Sequence, residues 1–280
     1  MRDAGRAGEH RYVGGMTETL DRRLFLRRSA GCAAALIAGV AVPRAFADPG
    51  PGHPEWGYSG DEGPAHWAAL DPAWHACGTG DAQSPIDLPR ARPTAPRAAT
   101  ARLRYRAGPV DAVDTGHTIR FVPGGRNAVV VAGTPFRLVQ FHEHTPSEHT
   151  VGGRAYPGEL HFVHQDAGGR HAVLGVFLQA SRRGGPADEL LGELPDVLDE
   201  RRQVVAAYDL SLLIPRDGAA YRYSGSLTTP DCEQGIDWFV FRRPIRVSPS
   251  VLETFREASG DNARPLQLLN GRTIASARVV

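Results

Sequence analysis

Beyond residue 55 the hydrophobic positions come in short apolar runs separated by turn-forming residues. Val129–Val131 before Gly133, Leu138–His144, Glu159–His164, Ala172–Gln179 and Trp238–Phe241 are mostly β-branched or aromatic and bounded by Gly, Pro or Asp. That pattern predicts strands. Two segments have helical spacing instead. Ala187–Glu200 places leucines at 190, 191, 194 and 198, with Pro195 bending or splitting the helix. Ser248-Pro249 reads as an N-cap followed by proline at the first helical position, with Val251, Leu252 and Phe255 repeating at three- and four-residue spacing. A predominantly β domain with a few peripheral helices is expected.

Residues 1–47 follow a different pattern. Arg22-Arg23-Leu24-Phe25-Leu26 is a twin arginine followed by apolar positions, Ala33–Val42 is an apolar run, and Ala45-Phe46-Ala47 supplies the small-x-small pattern of a signal-peptidase site. The run is half of the roughly 20 apolar residues a membrane span needs. The segment therefore predicts a twin-arginine signal peptide, export to the cell envelope or exterior, and no membrane anchor. A disordered arginine-rich tail is the alternative. A lipoprotein through Cys32 fits less well, because Cys32 precedes the apolar run and Ser29 stands where leucine is wanted. Met16, six residues before the twin arginine, is the expected true start. Residues 48–55 form a proline–glycine leader with no capacity to pack, and 56–280 suit one large domain.

Composition narrows the chemistry. The 32 basic side chains against 31 acids are all arginines, so lysine Schiff bases and a P-loop lysine are excluded. Residues 48–280 retain 24 arginines against 27 acids, a balance of −3, and such a chain is not expected to bind nucleic acid. Cys77 and Cys232 are the two cysteines of that stretch. In an oxidising compartment an even pair is most simply a disulfide, and two buried free thiols are the alternative.

Histidines carry the strongest signal. Five of the 11 fall between positions 142 and 164. Strand residues i and i+2 share a face, so Phe141-His142-Glu143-His144 projects two imidazoles side by side, and Glu159, His161 and Val163 project together from the later strand. If the strands lie close, three imidazoles converge, with a fourth position left for water. That is a ligand set of catalytic zinc. Glu159 is placed to receive the ring N–H of His161 and fix its tautomer. The bland alternative is a set of hydrogen-bonded core histidines. A rival metal reading takes His142-x-His144-x₃-Glu148 with Pro157-Gly158-x₂-His161 as the two metal motifs of a cupin, in which Glu148 is a fourth ligand.

Further motifs run from end to end of residues 56–280. They are Trp56-Gly57-Tyr58, Gly63-Pro64-x-His66-Trp67, Gln83-Ser84-Pro85-Ile86-Asp87, Gly116-His117-Thr118, Gln140-Phe141-His142-x-His144, Ser147-Glu148-His149-Thr150, Glu159 to His164, Val173-Leu174-Gly175, Tyr223-x-Gly225 to Pro230, and Asn262-x-Arg264-Pro265. In number and order they resemble the alpha-class carbonic anhydrases. Cupins lack the Ser-Leu-Thr-Thr-Pro element. The resemblance implies a mixed α/β but predominantly β single domain, built on a large, mostly antiparallel, twisted central sheet. It implies reversible hydration of CO₂ to bicarbonate and a proton, with zinc-bound hydroxide attacking CO₂.

Carried over by motif, His142, His144 and His161 resemble the Zn²⁺ ligands, and Gln140, Glu159 and the main-chain carbonyl of Asn262 resemble the acceptors behind them. Thr228, donating to Glu148, resembles the threonine that orients the hydroxide. Thr229 lines the same pocket, and Val163, Val173, Leu227 and Trp238 match the apolar wall where CO₂ rests. His117 resembles the proton shuttle, and an ordinary imidazole pKa of about 6.5 suits that task. A surface histidine without duty is the alternative. Anions and sulfonamides are implied as inhibitors. Non-catalytic relatives on this fold characteristically lose a zinc histidine, whereas all three are present here. The chain departs from the pattern at three positions. Glu143 stands between two ligands where an apolar residue is usual, Arg120 replaces a neutral amide, and Asp231 replaces a second proline. By strand alternation Glu143 points away from the metal and needs a partner or solvent.

Overall fold

A computed structural model describes residues 53–91, 93, 100–192, 194 and 198–280. The expected signal peptide and residues 48–52 of the leader lie outside the described residues. Helices α1 (Trp67–Leu70) and α2 (Ala76–Thr79) precede strands β1 (Asp87–Leu88), β2 (Ala101–Arg104), β3 (Gly108–Asp114), β4 (Ile119–Pro123) and β5 (Ala128–Val131). Then come β6 (Thr134–His144), β7 (Thr150–Val151), β8 (Gly158–Gln165), β9 (His171–Ala180), α3 (Asp188–Leu191) and β10 (Arg201–Tyr208). The chain closes with β11 (Ala219–Ser226), β12 (Gln234–Phe241), β13 (Ile245–Val247), α4 (Pro249–Ser259) and β14 (Ala275–Arg278).

Among the described residues twelve strands form one sheet, in the order β10-β3-β4-β6-β8-β9-β12-β11-β14, with β5 beside β6, β2 beside β5, and β13 beside β9. Its ladders are antiparallel except where β9 meets β12 and β13, which run parallel to it. The sheet is therefore mixed, and the chain between β9 and β12 supplies the long return that a parallel pair requires. Ala132 (φ 48°) and Gly133 (φ 87°) form the two-residue loop between β5 and β6. Positive φ at both positions is what a primed hairpin turn demands. No helix among the described residues is long and apolar enough to cross a membrane.

The five expected strands and the helix after Ser248 form where the pattern places them, and Ser248 Oγ accepts the Val251 N–H at 3.4 Å. Ala187–Glu200 differs. Helix α3 covers only Asp188–Leu191, the Gly192 N–H closes it on the Asp188 carbonyl at 2.9 Å, and Leu198 bridges to Asp114. Leu190 and Leu191 are buried as helical spacing requires, but Gly192 and Pro195 are the two poorest helix formers, so the helix ends after one turn.

Strands β6, β8 and β9 lie mid-sheet; β8 and β9 are buried on both faces along most of their length, and β6 only toward its C-terminal end. One face carries the main core, in which Phe121, Phe141 and Phe162 stack across β4, β6 and β8 with ring centroids 4.8 and 4.9 Å apart. Each such pair contributes about 0.5–1.5 kcal/mol beyond its area. The register that aligns Phe141 with Phe162 also sets His142 opposite His161 on the other face. A slip of one residue would bury the histidines in the aromatic core, so packing on one face fixes the site on the other.

Candidate active site

His142, His144 and His161 converge as the strand pattern requires: one ring nitrogen from each lies within 4.8 Å of the others. Each ring's second nitrogen faces an acceptor. His142 Nδ1 donates to Gln140 Oε1 at 2.9 Å, and His144 Nδ1 donates to the Asn262 carbonyl at 2.8 Å. His161 Nε2 lies 3.1 Å from Glu159 Oε1. The inward nitrogens are therefore His142 Nε2, His144 Nε2 and His161 Nδ1, each with its lone pair directed at the shared point. His144 Nε2 is buried and accepts no hydrogen bond from the protein. Burial holds His142 well below the usual histidine range, with the charges of His144 and His161 adding to it, and burial also lowers His161. Three converging imidazoles, two of them with tautomers fixed by the Gln140 and Asn262 acceptors, fit Zn²⁺.

Glu159 braces more than the sequence suggested. Its Oε1 also lies 2.8 Å from His149 Nδ1, and Oε2 accepts the His149 backbone N–H at 2.9 Å. Burial alone would raise its pKa, but His149 and His161 together hold it well below the carboxylate range. His149 Nε2 continues to the Tyr223 hydroxyl at 2.6 Å, and that hydroxyl pairs with Ser84 Oγ at 2.8 Å. The motifs contained all four residues; nothing in their spacing linked them.

A pocket opens over the three imidazoles. Val163, Val173, Leu227 and Trp238 line one side, and Thr115, His117, Thr118 and Arg120 line another. Val163 pairs with Val173 across one ladder and Val173 with Trp238 across the next, so three neighbouring strands build the apolar wall. Thr228 and Thr229 also line it. Among the described residues no hydrogen bond joins Thr228 to Glu148. Glu148 Oε1 accepts the Arg264 N–H at 2.8 Å, whereas Oε2 accepts none and lies 3.4 Å from His144 Nε2. Arg264 itself is buried, its guanidinium donating to Gln83 Oε1 and to the carbonyls of Ser84 and Cys77. Its role was not evident from sequence.

His117 stands in the pocket with its ring stacked on Trp56, centroids 4.0 Å apart and planes within 3°. Its Nε2 lies 2.8 Å from the Trp56 carbonyl, which can only accept, so that nitrogen carries a proton. Trp56 and Tyr58 are pocket residues that the opening motif alone did not assign. Cys77 and Cys232 are joined by a disulfide packed against Trp56, Trp67 and Trp74. Glu143, on the opposite face of β6 from the imidazoles, is fully buried and finds partners rather than solvent. Asp231 is exposed, follows Pro230 through a cis peptide, and accepts the Glu233 N–H at 3.2 Å.

The family model for eukaryotic-type carbonic anhydrase matches residues 62–278. The chain belongs to the alpha-carbonic anhydrases. A carbonic anhydrase of Klebsiella pneumoniae is 35% identical over 252 residues, covering 89% of this chain and 99% of that protein. The alpha-carbonic anhydrase of Thermovibrio ammonificans, solved with the inhibitor sulfanilamide, superposes with a TM-score of 0.75 at 44% identity, covering 79% of this chain and 98% of the other. Carbonic anhydrase Cah3 of Chlamydomonas reinhardtii, solved with acetazolamide, superposes at 0.69 with 33% identity over 80% and 99%. Carbonic anhydrases of this class are zinc enzymes that hydrate CO₂, and the imidazole cluster is their metal centre in kind. Membership sets aside the cupin alternative. Glu148, its fourth ligand, is not part of the converging set.

Proposed function

We propose that this chain is an exported carbonic anhydrase whose reaction is carried by the pocket over His142, His144 and His161. The observation behind the residue assignment is that the second nitrogens of His142 and His144 are hydrogen-bonded to Gln140 and the Asn262 carbonyl, and that of His161 lies 3.1 Å from the Glu159 carboxylate. Zinc held there supplies a Lewis acid that brings the ionisation of water from about 15.7 to near 7. The protein's own groups do the rest. Val163, Val173, Leu227 and Trp238 receive CO₂, which has no net dipole, on a dry surface. Thr228 orients the attacking oxygen, and Glu148 Oε2, which accepts no hydrogen bond among the described residues, is left open to take the threonine proton. Thr229 lines the exit of the charged product. His117 moves the proton from the pocket to buffer, imidazole being the side chain whose ordinary pKa lies closest to neutrality.

Anions and sulfonamides are expected to block the same floor, by analogy with the relatives solved with sulfanilamide and acetazolamide. Export rests on the Arg22-Arg23 motif and accords with the Cys77–Cys232 disulfide, a bond that persists in oxidising compartments. N-terminal sequencing of secreted protein is expected to begin at Asp48, and recovery only in the cytoplasm would refute export. Stopped-flow CO₂ hydration by the purified chain, with and without a chelator, tests the activity. Turnover that survives full removal of zinc would overturn the metal assignment.

A further inference from the structure

Glu143 is the departure that the resemblance left without a role. It sits between two of the imidazole-bearing positions, yet its side chain enters the opposite side of β6 and is completely buried. Two other pieces of chain, and Thr145 two residues on, donate to it. Ser259 Oγ at the end of α4 reaches Oε1 at 2.7 Å, the Ile119 N–H at the start of β4 reaches the same oxygen at 3.2 Å, and Thr118 Oγ1 does so at 3.3 Å. Thr145 Oγ1 reaches Oε2 at 3.4 Å. The main-chain carbonyl of Glu143 accepts from Thr118 Oγ1 at 2.7 Å and from Asn262 Nδ2 at 3.2 Å.

These contacts have one geometric consequence. Thr118 and Ile119 directly follow His117, and Asn262 Nδ2 also donates to the His117 carbonyl at 3.0 Å. The β4–β6 ladder itself pairs Arg120 with His142 and Phe121 with Phe141. It does not extend to the 117–119 turn, so side chains must hold that turn to β6. An apolar residue at 143 would leave the Ile119 N–H and the Ser259 hydroxyl without this acceptor, and a buried donor left unpaired is destabilising.

We propose that Glu143 is a positioning residue that fastens the His117 turn to the strand bearing His142 and His144, and so sets the geometry of proton transfer out of the pocket. The inference rests on the proposed shuttle role of His117. Carboxylate, turn and helix end form one fixture, and its loosening displaces the His117 ring relative to the imidazole cluster while leaving that cluster's own acceptors in place. A displacement near 1 Å can cost up to about 100-fold in a positioned step. A partial loosening is expected to cost roughly three- to tenfold.

The test compares CO₂ hydration at low buffer, where the shuttle limits turnover, with hydration at high imidazole buffer, which bypasses it. Glu143→Phe and the milder Ser259→Ala are made beside His117→Ala, with zinc release into a chelator and thermal midpoint recorded for each. Expected is a three- to tenfold loss at low buffer for both new variants, recovery at high imidazole, and a zinc release rate within twofold of the parent. Glu143→Gln, which keeps an acceptor oxygen, is expected to lose less than Glu143→Phe. A lower thermal midpoint with unchanged low-buffer turnover would reduce Glu143 to a structural residue and overturn the proposal. Equal losses at both buffer concentrations, or accelerated zinc release, would overturn it as well, since the damage would then lie at the cluster. Should Glu143→Phe not fold, Ser259→Ala decides by the same criteria. If His117→Ala itself shows no low-buffer loss, the shuttle reading fails; a loss there with none in the Glu143 and Ser259 variants rejects the positioning role alone.

Discussion

Gly175 lies directly across the β8–β9 ladder from His161, and a methyl group added to it would come within 2.8 Å of Glu159 Oε1. The glycine leaves room for the carboxylate that holds His161. Gly175→Ala is therefore expected to displace Glu159 and weaken zinc binding about 10- to 100-fold, the usual effect of disturbing a group behind a metal ligand. Chelator competition measures this. Wild-type affinity in a folded Gly175→Ala protein would show that Glu159 contributes nothing to the metal centre.

The apolar wall gives a second expectation. Val163 is 2% exposed and sits beside both Val173 and the imidazoles. Val163→Trp fills the space assigned to CO₂ without touching a ligand nitrogen. Turnover per substrate, kcat/KM, is expected to fall by at least about 100-fold, as misplacement of a reactant by an ångström or more does. Zinc content should stay stoichiometric. An unaffected kcat/KM would place the substrate elsewhere.

For the shuttle, His117→Ala is expected to slow turnover about tenfold at low buffer, less than the roughly 100- to 10,000-fold of a positioned acid–base group because water and residual buffer carry protons in its place. Added imidazole should restore the rate. Failure of imidazole to rescue would remove His117 from the proton path.

Stability should fall in acid with a recognisable contribution from His164. Burial pushes this histidine down to about 4, with the Phe162 and Ala172 carbonyls opposing the shift. In the unfolded chain it titrates near 6.5. The unfolded state thus binds the proton first, so the folded state loses stability as pH drops from about 6.5 to about 4 and is indifferent to this group above that window. Linkage puts the loss on the order of 3 kcal/mol. Denaturant midpoints at pH 7.5 and 4.5 test it: His164→Gln should show a smaller acid decrement than the parent in the same metal state.

Local pattern made much of this protein legible. Alternation along Gln140–His144 and Glu159–His164 determined which side chains share a face, because the pleat of a strand is a property of adjacent residues, whereas the irregularity between Leu138 and Gln140 that puts Leu138 in the core was not legible. The motifs from Trp56 to Pro265 carried the family, and Ser248-Pro249 marked a helix start. Local pattern misjudged α3, where leucines at helical spacing ran into Gly192 and the strand beyond it. Pairing was beyond its reach. That His161 meets His142 rather than a neighbouring residue was decided by the Phe121–Phe141–Phe162 stack on the reverse face, since register is fixed by burial and not by either strand alone. The bond from His117 to Trp56, the chain from Glu159 through His149 to Tyr223, and the donors gathered on Glu143 join residues far apart in sequence. The chemical nature of each group was written in the chain. Its tautomer, its protonation and its partner were decided by tertiary structure, because a buried polar group takes its state from whatever the fold brings within hydrogen-bonding distance.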